Sequence, residues 1–192
     1  MRMFLRAVTG ICAAVPAIAG AQGLDINVGD DVAEIQFRSA LGLKSDNFKQ
    51  AHYEIGFFYK DDTKNSAMGE LGFEVSGGAG ANAPGFELGA GVKGYLASLA
   101  EYDVGAISLG VMARYAPPIA SRFAVTLRLN YAPSILTFND GDALLIQNAR
   151  FGYEILPEVE IYAGYRKIEL DFDNQRDIKV DDGWHLGLDM QF

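Results

Sequence analysis

The sequence predicts an all-β fold, an antiparallel transmembrane β-barrel of about ten strands that follows a cleaved signal peptide. Three observations predict it. Apolar and polar residues alternate with a period of two through most of residues 22–192, with no convincing helical period. The polar phase sets long charged side chains beside mid-strand glycines, a poor choice for an open solvent face but a sound one for a confined lumen. Tyr, Phe and Trp gather at strand ends, where bilayer interfaces hold aromatic girdles.

The chain begins MRMFLRAVTGICAAVPAIAGAQG. Arg2 and Arg6 form a positive n-region, Ala7 to Ile18 an apolar h-region, and Ala19-Gly20-Ala21 an A-x-A cleavage site. Residues 1–21 therefore read as a secretory signal peptide and 22–192 as the barrel. The single cysteine, Cys12, leaves with the signal, and Thr9-Gly10-Ile11 before it is no lipoprotein box. Disulfides, thiolate metal sites and thiol catalysis are thereby excluded from the exported part. The net charge of −9 becomes two units more negative without Arg2 and Arg6. Such an acidic chain disfavours nucleic acid and anionic surfaces as partners.

The strands follow in order. A short candidate at 24–28 precedes alternating stretches at 32–41, 51–60, 67–76, 86–96, 104–115, 122–131, 143–155 and 159–166. In 122–131, Phe123, Val125, Leu127, Leu129 and Tyr131 oppose Arg122, Ala124, Thr126, Arg128 and Asn130. The alternation is noisier at 143–155, where Leu144 and Ile146 stand in the polar phase. Turn signals rich in Gly, Pro, Asp and Asn separate the strands: GLKSDN, DDTKNS, GGAGANAPG, PPIAS, NDGD and LPE.

A soluble sheet and a membrane barrel share this alternation and differ in which face meets water. The polar phase decides. It reads Glu70-x-Gly72-x-Glu74, Glu87-x-Gly89-x-Gly91-x-Lys93, Ser108-x-Gly110-x-Met112-x-Arg114, Arg150-x-Gly152-x-Glu154, Glu160-x-Tyr162-x-Gly164-x-Arg166 and His185-x-Gly187-x-Asp189. In a narrow barrel the glycines make room for arginine and glutamate side chains that must fold inwards and pair. Tyr115, Phe123, Phe151 and Tyr153 mark one rim, and Tyr59, Tyr131, Tyr165 and Trp184 the other.

The last strand, GWHLGLDMQF, places Trp184, Leu186, Leu188, Met190 and Phe192 on one apolar face and Gly183, His185, Gly187, Asp189 and Gln191 on the other. An apolar strand ending in an aromatic residue resembles the closing strand of bacterial outer-membrane barrels, whose assembly machinery recognises that end. Signal sequence, size and closing strand together resemble the YfaZ family of small exported outer-membrane proteins. That resemblance implies the cell outer membrane, with its lipid and lipopolysaccharide, as the protein's place. It implies no activity and assigns no functional residue.

With the C-terminus on the periplasmic side, GLKSDN, GGAGANAPG, PPIAS and LPE become periplasmic turns. The outer connections become 61–66, 97–103, 132–142 and 171–182. This parity requires 24–28 as a first strand, giving ten. Five residues fall short of the ~9–11 that span a bilayer, so eight strands with 24–41 rearranged is the alternative. The outer rim then collects Asp30, Asp31, Asp61, Asp62, Glu101, Asp103, Asp140, Asp142, Glu169, Asp171, Asp173, Asp177, Asp181 and Asp182. Carboxylates suit divalent cations as partners there. DFDNQRD lacks the turn glycine of a Ca²⁺ loop, however, and solvated acidic loops are the plainer expectation.

Little in the sequence points to catalysis. Only His52 and His185 are bases near neutrality without a perturbed environment. His185 shares the lumen phase with Asp189, but no G-x-S-x-G supplies a nucleophile, and GGAGANAPG lacks the G-K-[ST] ending of a phosphate loop. The lumen phase carries the acids Glu34, Glu54, Glu70, Glu74, Glu87, Glu154, Glu160 and Asp189. Against them stand the bases Arg38, Lys60, Lys93, Arg114, Arg128, Arg150 and Arg166. Near balance favours paired ions that fill the lumen over a selective constriction. The expected function is a structural or surface-interaction barrel, without catalysis or cofactor. The alternatives are a narrow pore for small solutes, a hydrolase centred on His185 and a soluble periplasmic β-protein.

Overall fold

In the computed structural model, residues 22–42, 50–61, 66–99, 102–172 and 178–192 are described; the proposed signal peptide, 1–21, lies outside them. Among the described residues eleven strands form: β1 (Gln22–Gly29), β2 (Val32–Ala40), β3 (Gln50–Lys60), β4 (Ser66–Gly78), β5 (Phe86–Leu99), β6 (Tyr102–Tyr115), β7 (Phe123–Ala132), β8 (Thr137–Asn139), β9 (Ala143–Leu156), β10 (Val159–Asp171) and β11 (Ile178–Gln191). Each long strand pairs antiparallel with its sequence neighbours, and β1 pairs with β11 to close the ring. The result is an up-and-down barrel of ten strands, with the three-residue β8 added to the end of β6.

The eight-strand alternative is excluded. β1 is eight residues long and lies in continuous register between two neighbours, Ile26 facing Ile35 of β2 and Leu188 of β11. The two-residue turn Asp30–Asp31 reverses the chain into β2, with Asp31 in the left-handed region at φ 57°. At the opposite end, Gly85 at φ 83° packs so closely on the Ala116 carbonyl that a Cβ would collide with it. Two outer connections are shorter than the sequence suggested: β5 and β6 run to Leu99 and from Tyr102, and β11 already starts at Ile178.

The apolar phase faces outward on every long strand. Leu71, Leu109 and Leu186 are each more than 60% exposed, and Ile55, Leu88, Val111 and Leu127 stand on the same surface. Among the described residues no helix is long and apolar enough to cross a membrane. The crossing is made by strands whose backbone groups are paired around a closed ring, as hydrocarbon requires. Phe123 stacks against Phe151 and Tyr153 at the end that carries the C-terminus, hereafter the turn end. Tyr165 meets Trp184 edge-on towards the other, or loop, end. Above them Lys167 pairs with Glu169 (2.8 Å) and Lys179 with Asp182 (2.9 Å), a charged collar beyond the apolar belt.

This surface makes a direct prediction. Leu188 lies outward between Ile26 and Ile161. Leu188→Arg should cost about 2–4 kcal/mol if it reaches the bilayer midplane, and should sharply lower the yield of folded, heat-modifiable protein. A wild-type yield would count against the lipid-facing assignment.

Candidate functional site

The inward phase builds the lumen, which has two unlike halves. Towards the loop end the inward positions are apolar: Val32, Phe58, Met68, Tyr95, Leu99, Val104, Leu144, Ile146, Ile168, Leu170, Phe172 and Val180 form one buried cluster. Phe58, Leu144, Ile168 and Leu170 are 2% exposed or less. Leu144 and Ile146, which break the alternation in the sequence, are therefore part of a plug and not irregularities. A bulge helps to complete it. The ladder steps from Ile168–Asp181 to Glu169–Lys179, so that Val180 is left over and it and Asp181 are both buried.

Below the plug lies a layer of buried charge. Glu54, fully buried, is paired with Lys93 and accepts from Arg128 Nη1 at 3.1 Å and His52 Nε2 at 3.1 Å. β3 and β7 stand far apart around the ring, so the Arg128–Glu54 pair ties opposite walls across the lumen. Gln36 donates to Glu70, which lies 3.7 Å from Lys93. A second network joins Arg166 to Glu34 and to Asp181 (2.8 Å), with Asn27 donating to Glu34 (2.7 Å). Arg166 also lies over the Phe58 ring, 4.8 Å from its centre, where the charged layer meets the plug. Asp25 accepts from Arg150 (2.6 Å) and from the Tyr162 hydroxyl (2.5 Å).

Towards the turn end the lumen opens into a cavity of about 540 Å³. Arg38 donates to both oxygens of Asp189 at 2.5 Å, and Arg114 to Glu160 at 2.6 Å. Glu87 accepts from Ser76 (2.7 Å), while Glu154 lines the wall. The candidate lumen residues Glu70, Glu74, Glu87, Lys93, Arg114, Arg128, Arg150, Glu154, Glu160, Arg166, His185 and Asp189 thus all face inward, spread over networks and cavity wall rather than gathered at one centre. Trp184, Leu186, Leu188 and Met190 lie on the opposite, outer face of β11, and Phe192, one residue past its end, is exposed.

Several placements differ from expectation. His185 is not hydrogen-bonded to Asp189, whose carboxylate is held by Arg38. It packs edge-on to Tyr162, and neither ring nitrogen has a hydrogen-bond partner among the described residues. Lys60 donates to the Val180 carbonyl (3.0 Å). Asp181 is no rim group but a buried partner of Arg166. Glu169, Asp171 and Asp182 lie on strands, and Asp62, Glu101, Asp173 and Asp177 fall outside the described residues. The short first strand hid Asp25 and Asn27, each 1% exposed, although both alternate with Leu24, Ile26 and Val28. His52, Glu54 and Glu74 bring possible ligand atoms within 4.8 Å of one another. Their carboxylates already face Arg128 and Lys93, so a dication would meet two fixed positive charges there.

The fold and this lumen define a small transmembrane β-barrel whose interior is packed at the loop end and opens at the turn end. The chain belongs to the YfaZ family, whose model, described as YfaZ precursor, matches residues 1–192. No curated protein matches it. Among solved structures, the chain is similar to the NanC porin at 12% identity and a TM-score of 0.47, covering 91% of this chain and 100% of that one. It is similar to the KdgM porin in complex with disordered oligogalacturonate at 11% identity and 0.41, covering 90% and 99%. It is similar to outer-membrane expressed OmpT of Vibrio cholerae at 13% identity and 0.40, covering 84% and 56%.

The charged layer carries its own prediction. Glu54→Leu leaves Lys93 and Arg128 buried without their shared carboxylate. Breaking a buried pair from one side costs about 3–5 kcal/mol. Urea unfolding of the barrel in lipid vesicles should show a loss on that scale, and a loss near zero would mean that the network tolerates an uncompensated charge.

Proposed function

We propose that the protein is an exported outer-membrane barrel that does not conduct, with a structural or surface-interaction role and no catalysis. The observation that carries this reading is the loop-end plug: side chains from β2, β3, β4, β5, β6, β9, β10 and β11 meet in one buried apolar cluster. A hydrated path would have to pass both this cluster and the ion pairs beneath it. The outward apolar belt takes lipid, with lipopolysaccharide at the charged collar. The apolar row of β11, ending at Phe192, is the surface offered to the barrel-assembly machinery. Divalent cations are proposed only for the exposed acids of the loop-end rim, such as Asp30 and Asp140.

The narrow-pore reading draws on one specific observation, the cavity that enters from the turn end. The hydrolase reading has less support, because neither ring nitrogen of His185 has a hydrogen-bond partner among the described residues. Planar-bilayer recording separates the first two. Wild-type protein should give no large, steady channel, whereas Phe58→Ala combined with Leu170→Ala should admit current by thinning the plug. Large ion-selective wild-type currents would overturn the closed-barrel reading and establish the pore.

A further inference from the structure

We propose that the loop-end part of β11 is a docking edge for an extended peptide with a basic amino terminus, which adds to the sheet as a strand antiparallel to β11. β1 ends at Gly29, opposite His185, and the chain turns back at Asp30 and Asp31. β11 begins at Ile178, so Ile178–Gly183 rise past that turn. They lie against β10 on one side, and among the described residues no strand pairs with them on the other. Lys179 and Asp182 place this stretch in the charged collar, beyond the apolar belt. Backbone groups left open there meet water or headgroups, which a barrel tolerates, and not hydrocarbon.

One contact shows that the edge has open acceptors. Lys60 of β3 reaches past the short β1–β2 turn and donates to the Val180 carbonyl (3.0 Å). A lysine on a strand edge blunts it, but this amine covers a single carbonyl. The bulge at Val180 bends the edge without covering it.

Geometry and charge select the occupant. β11 of a second copy fits poorly. Two copies in one membrane are related by an axis along its normal, and strands tilted about 35–45° would then cross at roughly twice that angle instead of lying side by side. A separate peptide has no such constraint and can continue the line of β1. Running antiparallel to β11, it starts at the β1–β2 turn, so its amino terminus meets the exposed Asp30 and Asp31. The opposite direction would bring a carboxylate to the same acids. Alternate residues would turn inward at the rim of the plug, where Val32 and Val180 lie, which favours apolar side chains there. The proposal gives the surface-interaction reading a partner and rests on it only for placing the loop end outside the cell.

The probe is a synthetic peptide of two lysines followed by alternating valine and threonine, amidated at its C-terminus. Its control is the same peptide with every backbone amide N-methylated. Fluorescence anisotropy with the folded full-length barrel in detergent should show saturable binding of the first, and binding about tenfold weaker or less for the second. Hydrogen exchange of the Ile178–Gly183 amides should slow when the unmodified peptide is bound. Asp30→Asn with Asp31→Asn should weaken it severalfold, and raised salt should do the same. Lys60→Met uncovers the Val180 carbonyl and should tighten the unmodified peptide without tightening the N-methylated one. Equal binding of the two peptides, or binding without slowed exchange at Ile178–Gly183, would overturn the docking edge. So would protection of those amides that rises with barrel concentration in the absence of peptide, because it would assign the edge to a second copy. Bilayer currents test whether the barrel conducts, and neither result decides the other.

Discussion

The lumen of a ten-stranded barrel is narrow, and this chain fits long side chains into it by placing a glycine directly across the ladder from each of several of them. Gly72 faces Lys93, Gly56 faces Glu70, Gly187 faces Tyr162, Gly164 faces His185 and Gly110 faces Asn130. A Cβ on Gly72 would lie 2.8 Å from Lys93 Cγ, and one on Gly56 would lie 2.7 Å from Glu70 Cγ. The side chain therefore lies flat over its neighbour's backbone instead of pointing to the axis. Glycine within a strand costs roughly 0.5–1 kcal/mol relative to alanine. The return is that opposite walls can carry long charges and still meet, as Arg128 and Glu54 do. Remove the glycines and the same charges would crowd the axis without partners.

That constraint explains why the deeply buried arginines each have a carboxylate partner. Side chains laid along the wall are largely out of water, and a buried unpaired charge is far costlier than a buried pair. The pairs themselves contribute little net stability compared with apolar packing of equal volume. Their consequence is specificity. Arg166 bound to Glu34, Asp181 and Asn27 fixes β10, β2, β11 and β1 relative to one another. A slip of one residue would turn all these groups to lipid. The loop-end half needs no such device, because apolar side chains pack there without partners.

Much of this was legible in the sequence because a barrel strand encodes its faces with a period of two. The ten strands, the outward apolar row of β11 and the glycine-spaced lumen phase all follow from that period. Partners across the lumen do not. Alternation places Arg150 inside, but only the tilt and closure of the ring bring it to Asp25, more than a hundred positions away in sequence. The plug escaped for a related reason. Met68, Val104 and Leu170 sit in the polar phase near strand ends, where a few apolar residues resemble fading alternation. Only the closed ring shows that they meet. Asp181 was misplaced because the turn-like stretch before Gly183 reads as an outer connection, whereas β11 begins at Ile178 and Asp181 keeps the inward phase of Gly183 and His185.

Closure at the loop end also depends on one short element. β7 pairs with β6 only over Leu109–Tyr115, which would leave the loop end of β6 with unpaired backbone on its β7 side. Pro133, without an amide hydrogen, ends β7, and a 3-10 turn at Ser134–Leu136 carries the chain back into line. β8 then resumes the ladder, Thr137 to Asn139 against Ala106 to Val104. Thr137 Oγ1 secures the turn by donating to the Pro133 carbonyl (3.1 Å). The strand segment held in this way contains Val104 and Ala106, both 3% exposed and both members of the plug. The edge that β8 covers is thus the wall against which the plug packs. The asymmetry of the barrel, closed at one end and open at the other, is set by backbone pairing as much as by the side chains that fill it.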